Sequence, residues 1–226
     1  MRLMGLFLVM VFTYVSLISA DELWDKAVKI FEKSKSYEAK TMYMVMEELK
    51  KDGSVTEKNE IYLDVITNSD GKKDSKVVKI IKNGKDVTED IMKKKDALNG
   101  KKDEKKESFS MQMDMLARDK QHSVVSKRLD QTLEIDGISS VGYSFAYALN
   151  AKENYVGTLW LHPETGVPLR SEFTVSPLPS KVKKMTIAAV YTSINDMTVL
   201  KKMDVTVHVS FLIISKRLRS MIEFGY

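Results

Sequence analysis

The sequence predicts a mainly β fold of the α+β kind: a strongly curved antiparallel sheet, or half-open β-barrel, with an N-terminal amphipathic helix and one or two short lid helices. Three observations predict it. Runs that alternate apolar and polar residues recur along most of the chain, each long enough for one strand. Dipeptides that tolerate positive φ, namely Asp52-Gly53, Asp70-Gly71, Asn83-Gly84 and Asp136-Gly137, stand between several of the runs. The runs number about nine to eleven, more than an open twisted sheet holds comfortably without curling.

The clearest pair is 155–175, which reads YVGTLWLHPETGVPLRSEFTV. Two alternating runs, 155–161 and 169–175, flank His162-Pro163-Glu164-Thr165-Gly166-Val167-Pro168. There Pro presets φ for a type I turn and Gly supplies the left-handed position, so a β-hairpin is expected. On its return strand Leu169, Ser171, Phe173 and Val175 share one face and Arg170, Glu172 and Thr174 the other. One face is built for a core and one for water.

Taken in order, residues 2–20 carry one positive charge, the apolar run 3–15 and the small-ended SLISA before Asp21. This is the layout of a secretory signal peptide, with cleavage expected after Ala20 and a single domain over 21–226. An uncleaved anchor is the alternative, because the apolar run is near the lower limit for spanning and Ile18 is larger than usual at that cleavage position. The chain has no Cys, which removes disulfides, lipid attachment through a cysteine, thiolate catalysis and cysteine-based metal sites together.

From Asp21, the segment DELWDKAVKIFEKSKS spaces Leu23, Trp24, Ala27, Val28 and Phe31 as one helical stripe, with acids in the first turn and Lys33 and Lys35 in the last. From Tyr37 the period becomes two, with Met42, Met44 and Met46 alternating with Thr41, Tyr43 and Val45. Strand-like runs follow at 61–67, 76–81, 124–129, 132–135 and 142–149. Thr88 is placed to cap a short helix over 88–98, with Val87 and Met92 as its hydrophobic staple and Asn99-Gly100 as its end. The run 93–107 holds seven Lys against four acids and reads as a solvated loop. It lacks the interleaved aromatics that nucleic acid would call for, so no nucleic-acid partner is expected. Residues 109–118 fit either a loop or a short helix. Runs at 183–191 and 203–211, then 218–226, complete the sheet.

Catalytic chemistry finds no motif. The three His, His122, His162 and His208, have no second ligand at metal spacing, and no nucleophile elbow, P-loop or dinucleotide fingerprint occurs. A non-enzymatic protein without cofactor or metal is expected. The unusual feature is methionine: Met42, Met44 and Met46, like Met111, Met113 and Met115, put three thioethers on one face if extended. Soft thioethers suit Cu(I), whereas flexible Met equally lines an adaptable apolar surface; burial-prone Tyr43 and Val45 and the lack of His favour the latter.

The hairpin GTLWLHPETGVPLRSEF, preceded by IDGISSVGYSFAYAL, resembles the periplasmic lipoprotein-carrier superfamily. That superfamily comprises the LolA and LolB-like carriers, the RseB-type sensors and outer-membrane lipoprotein-sorting relatives. The shared elements are an N-terminal helix, a β-meander, an Asp-Gly before a strand of alternating aromatics, and a W-x-x-P-x-T-G-x-P-L hairpin. The Lys-rich insertion and the abundance of Met depart from it. The resemblance implies a half-open barrel with helices in its mouth and a periplasmic carrier that holds acyl chains of lipoprotein or lipid, served by an inner-membrane transporter or exporter. A sensor or interaction module of the same fold without cargo is the alternative. No contact residue is carried over from the family. The chain's own periodicity nominates Trp24, Phe31, Met42, Met44, Met46, Leu169 and Phe173 as the apolar ligand surface.

Overall fold

The computed structural model describes residues 21–35, 37–67, 73–99, 114–211 and 214–226. The expected signal segment, the Asp70-Gly71 turn, Met111 and Met113, and the Lys-rich run beyond residue 99 lie outside them. A helix α1 (Glu22–Ser34) leads into strands β1 (Thr41–Leu49), β2 (Val55–Thr67), β3 (Lys73–Lys82) and β4 (Lys85–Asp86), then helix α2 (Thr88–Asn99). Two short 3₁₀ turns, Asp114–Leu116 and Arg118–Ser123, precede β5 (Val124–Ile135). The remaining strands are β6 (Ile138–Ala148), β7 (Asn154–Leu161), β8 (Pro168–Ser176), β9 (Val182–Ile194), β10 (Met197–Phe211) and β11 (Ile214–Gly225).

All eleven form one curved, unclosed antiparallel sheet in the order β4-β3-β2-β1-β11-β10-β9-β8-β7-β6-β5. Two sequential meanders, β1 to β4 and β5 to β11, are joined where the first strand pairs with the last. The turns follow the expected chemistry. Asn83-Gly84 and Asp136-Gly137 hold both central residues at positive φ (49° and 79°, 50° and 79°), as a two-residue hairpin requires.

The register runs one row of side chains across nine strands: Tyr143, Leu159, Ser171, Ala189, Met203, Ile222, Met44, Ile61 and Ile80. Directly paired residues share a face, so this row defines the inner side of the sheet. The adjacent outward row, Trp160, Arg170, Val190, Lys202, Glu223, Tyr43, Tyr62 and Lys79, mixes charge with aromatics, as a wet face should. Gly142 ends that row because the Trp160 ring lies over it; a Cβ there would sit 2.6 Å from the ring.

Several sequence expectations are corrected. Runs 124–129 and 132–135 are one strand, β5, interrupted by a register break between Arg128 and Thr132 rather than by a turn. Leu169 falls in a second break, since Trp160 pairs with Arg170 while Leu161 pairs with Pro168. The extra residue there turns Pro168, instead of Leu169, into the buried position. The β9–β10 turn, Asn195-Asp196, was not anticipated because it holds positive φ (51° and 61°) without a glycine. Thr88 does not cap α2 with its hydroxyl: that oxygen accepts from the Ile80 N–H of β3, while Asp86 Oδ1 accepts from the Thr88 N–H at 3.0 Å. The helix therefore lies against β3, and the Lys-rich run opens inside it.

Candidate functional site: the inner face of the sheet

Helix α1 lies on the inner face and is pinned along its length. Its N-cap Asp21 accepts from the Leu23 N–H at 3.0 Å and from the Tyr143 hydroxyl at 2.6 Å, which ties the first turn to β6. Trp24 donates its indole N–H to Gln121 Oε1 at 2.9 Å. Gln121 in turn donates to the carbonyls of Met115 and Ala117, so one amide holds the 114–123 segment on the helix. At the other end the Ser34 hydroxyl donates to Ile30 O and accepts the Thr198 N–H of β10, both at 2.9 Å. The β7–β8 turn presses on the same helix through Gly166.

These contacts fill half of the inner face. Leu23, Trp24, Ala27 and Val28 of α1 join Met115, Leu116, Tyr143, Phe145, Leu159, Leu161, Phe173, Ile187, Met203 and Ile222 in one core. Trp24 meets Tyr143 ring to ring at 5.5 Å, and Phe173 meets Phe145 at 6.1 Å and Tyr155 at 5.1 Å. Burial and the bond to Asp21 push the Tyr143 phenol well above its ordinary range, so it stays a neutral donor.

The seven nominated residues divide. Trp24 (5% exposed) and Phe173 (7%) are core, enclosed by protein. Phe31 is half-buried at the margin of that core, and Leu169 is half-buried in its bulge. Met42, Met44 and Met46 lie together on the inner side of β1: Met44 touches the core edge, and Met46 is 38% exposed. Their neighbours by register, Ile61 and Leu63 on β2, Ile80 and Val77 on β3, and Phe224 on β11, are all half-buried. The apolar row that is sealed from β6 to β11 thus continues across β1, β2 and β3, where the described residues leave it half-buried. A hollow of about 450 Å³ at the start of β1 is lined mainly from the outward side, by Thr41, Tyr43, Tyr62, Asp64 and Glu223, and so is not part of this inner surface.

Two arrangements here were not readable from sequence. Gln121 carries no local signal, since its role comes from a residue 97 positions away. On the outward side the Tyr43 ring packs tilted against Tyr62 at 4.6 Å and its hydroxyl donates to Glu60 at 2.6 Å, a bond that raises the Tyr43 pKa and lowers that of Glu60. This cluster lies opposite the methionines and buttresses β1 from behind.

The histidines stand apart. His162 Nδ1 accepts from the Glu164 N–H inside the hairpin turn, His208 Nε2 lies 2.8 Å from Ser215 Oγ on the outward face, and His122 is exposed. Among the described residues no group of three His, Asp or Glu is placed to hold a metal.

No family model and no curated protein matches the chain. Solved structures similar to it include a DUF1329 family protein from Desulfovibrio piger (13% identity, 90% of each chain covered, TM-score 0.38). Another is an outer membrane lipoprotein-sorting protein domain from Vibrio parahaemolyticus (11%, 90% of this chain and 92% of that one, TM-score 0.37). A third is a LolA superfamily protein from Nitrosomonas europaea (9%, 88% and 91%, TM-score 0.36). A lipoprotein-sorting domain and a LolA superfamily protein are thus among the structures to which the chain is similar.

Proposed function

We propose that the protein is a non-enzymatic carrier of the cell envelope, which takes an acyl chain of lipid or lipoprotein onto the half-buried inner face of β1, β2 and β3. The observation that supports it is the continuity of the inner row: among the described residues Met44, Ile61 and Ile80 are only half-buried, whereas Tyr143, Leu159, Met203 and Ile222 in the same row are sealed. Apolar area left open beside a closed core gains on covering by any hydrocarbon, at about 25 cal/mol per Å². Met side chains suit a cargo of variable shape because they are unbranched and polarizable. Within this reading Met42, Met44, Met46 and Phe31 contact cargo, while Trp24 and Phe173 hold the scaffold. Delivery would involve a periplasmic route and a transporter or exporter in the inner membrane.

Titration with a fluorescent long-chain fatty acid tests it. The parent is expected to bind, and Met44→Asp with Ile61→Asp to weaken binding roughly tenfold or more, because each buries a carboxylate against hydrocarbon. Absence of uptake by the parent, with no lipid seen in native mass spectra after gentle purification, would sink the carrier reading.

A second reading has its own support. Trp24 and Phe173, the aromatics first expected in a ligand wall, are packed as ordinary core, which suits an interaction or sensor module of this fold without cargo. A parent that binds no lipid yet captures an envelope protein would favour it.

A further inference from the structure

We propose that one end of the sheet docks on an anionic bilayer surface. Successive turns of an antiparallel sheet fall at alternate ends, so the register sorts them without ambiguity. Turns 136–137, 162–167 and 195–196 fall at one end, where α1 is held through Gly166 and Thr198. They carry Asp136, Glu164 and Asp196 and no Lys or Arg. Turns 50–54, 149–153 and 177–181 fall at the other, and the β10–β11 ladder closes there with Phe211 opposite Ile214. Adjacent strand ends bring basic residues together at this second end: Lys184 pairs with His208, His208 with Arg217, and Val209 with Lys216. Arg217 donates to the Lys51 carbonyl at 3.1 Å, and Ser210 N–H to the Lys181 carbonyl at 2.8 Å, which adds two turns to the cluster. Lys216 pairs with Glu48 at 2.9 Å, and the side chains of Lys181, Lys184, Lys216 and Arg217 are all exposed.

The same end exposes large apolar side chains. Leu149 and Leu178 stand at the turns and Leu218 on the inner side of β11, each 38 to 41% exposed. Cations around exposed leucines match a surface that is anionic at the headgroup and apolar beneath. The turns at the opposite end carry acids but Lys26 and Lys40 also lie there, so the orientation rests on the strand-end cations grouped with the exposed leucines at this end. The inference stands whether or not the inner face carries cargo.

Sedimentation of the purified protein with vesicles tests the proposal. Phosphatidylglycerol mixed into phosphatidylcholine is expected to bind it at low ionic strength and release it at high salt, with far weaker binding to phosphatidylcholine alone. Any insertion by the apolar run 3–15 is common to both vesicles, so the difference between them is the readout. Losing one cation at such a surface weakens partition about fivefold. Lys184→Glu with Arg217→Glu is therefore expected to lower it by at least about tenfold, while Glu164→Gln at the opposite end leaves it unchanged. Leu149→Ser with Leu178→Ser should weaken vesicle binding but not binding to heparin, a soluble polyanion. Equal binding to both vesicles, charge reversal without effect in a folded variant, or loss of heparin and vesicle binding in parallel on serine substitution would each overturn it.

Discussion

Gly166 holds φ at 75° in the β7–β8 turn, and a Cβ there would meet Lys26 Cβ at 2.7 Å and Leu23 O at 2.9 Å. Conformation and space both exclude a side chain, so Gly166→Ala should cost about 2 kcal/mol or more, read as a lower urea midpoint with an unchanged m-value. An unchanged midpoint would mean that the turn does not press on α1. At the chain's last residue, the Tyr226 hydroxyl donates to Leu200 O at 2.9 Å while its ring stacks on Tyr37, and burial pushes its pKa up to about 12. The folded state holds this proton more tightly than the unfolded chain, whose phenol titrates near 10. The resulting stability is fully present below pH 10 and is lost as pH rises through 12. Tyr226→Phe should therefore flatten the fall of stability between those values while lowering stability at neutral pH; denaturant titrations across that range check both.

At the scale of elements, α1 is a helix by its own stripe and caps, but its place is set by distant partners. Ser34 accepts the buried Thr198 N–H, so Ser34→Ala leaves that donor unpaired and should cost about 1 to 3 kcal/mol. Hydrogen exchange would show the loss concentrated in the last turn of α1 and the start of β10; uniform loss would assign the bond no local role. The stripe was legible because 3.6-residue spacing is local. What covered it was not: the same stripe serves a filled core or a ligand wall, and only the partners of Trp24 decide between them. The Pro and Gly hairpin at 162–168 was legible for its turn chemistry, whereas Leu169 was assigned the wrong burial because a bulge resets the alternation. Asp130 and Gln131 divided β5 into two apparent strands because a polar edge strand lacks the alternation that marks a half-buried one.

For the whole molecule, the pairing of β1 with β11 brings the methionine strand beside the sealed core without covering it. Methionine accessibility therefore maps the division of the inner face. Met115 (3% exposed) and Met203 (2%) are enclosed, Met44 is half-buried at the boundary, and Met46 is open. Limited oxidation by hydrogen peroxide should convert Met46 to sulfoxide first, then Met42 and Met44, with Met115 and Met203 reacting only as the protein unfolds. Peptide mass spectrometry resolves these positions. Cargo on the open half should slow oxidation at Met42, Met44 and Met46 together and leave half-buried Met92 on α2 and Met221 on the outward side of β11 unaffected. Fatty acid that binds without protecting β1 would move the cargo site off this face, and equal oxidation rates at Met46 and Met203 in the folded protein would remove the division between sealed and open halves on which the carrier reading depends.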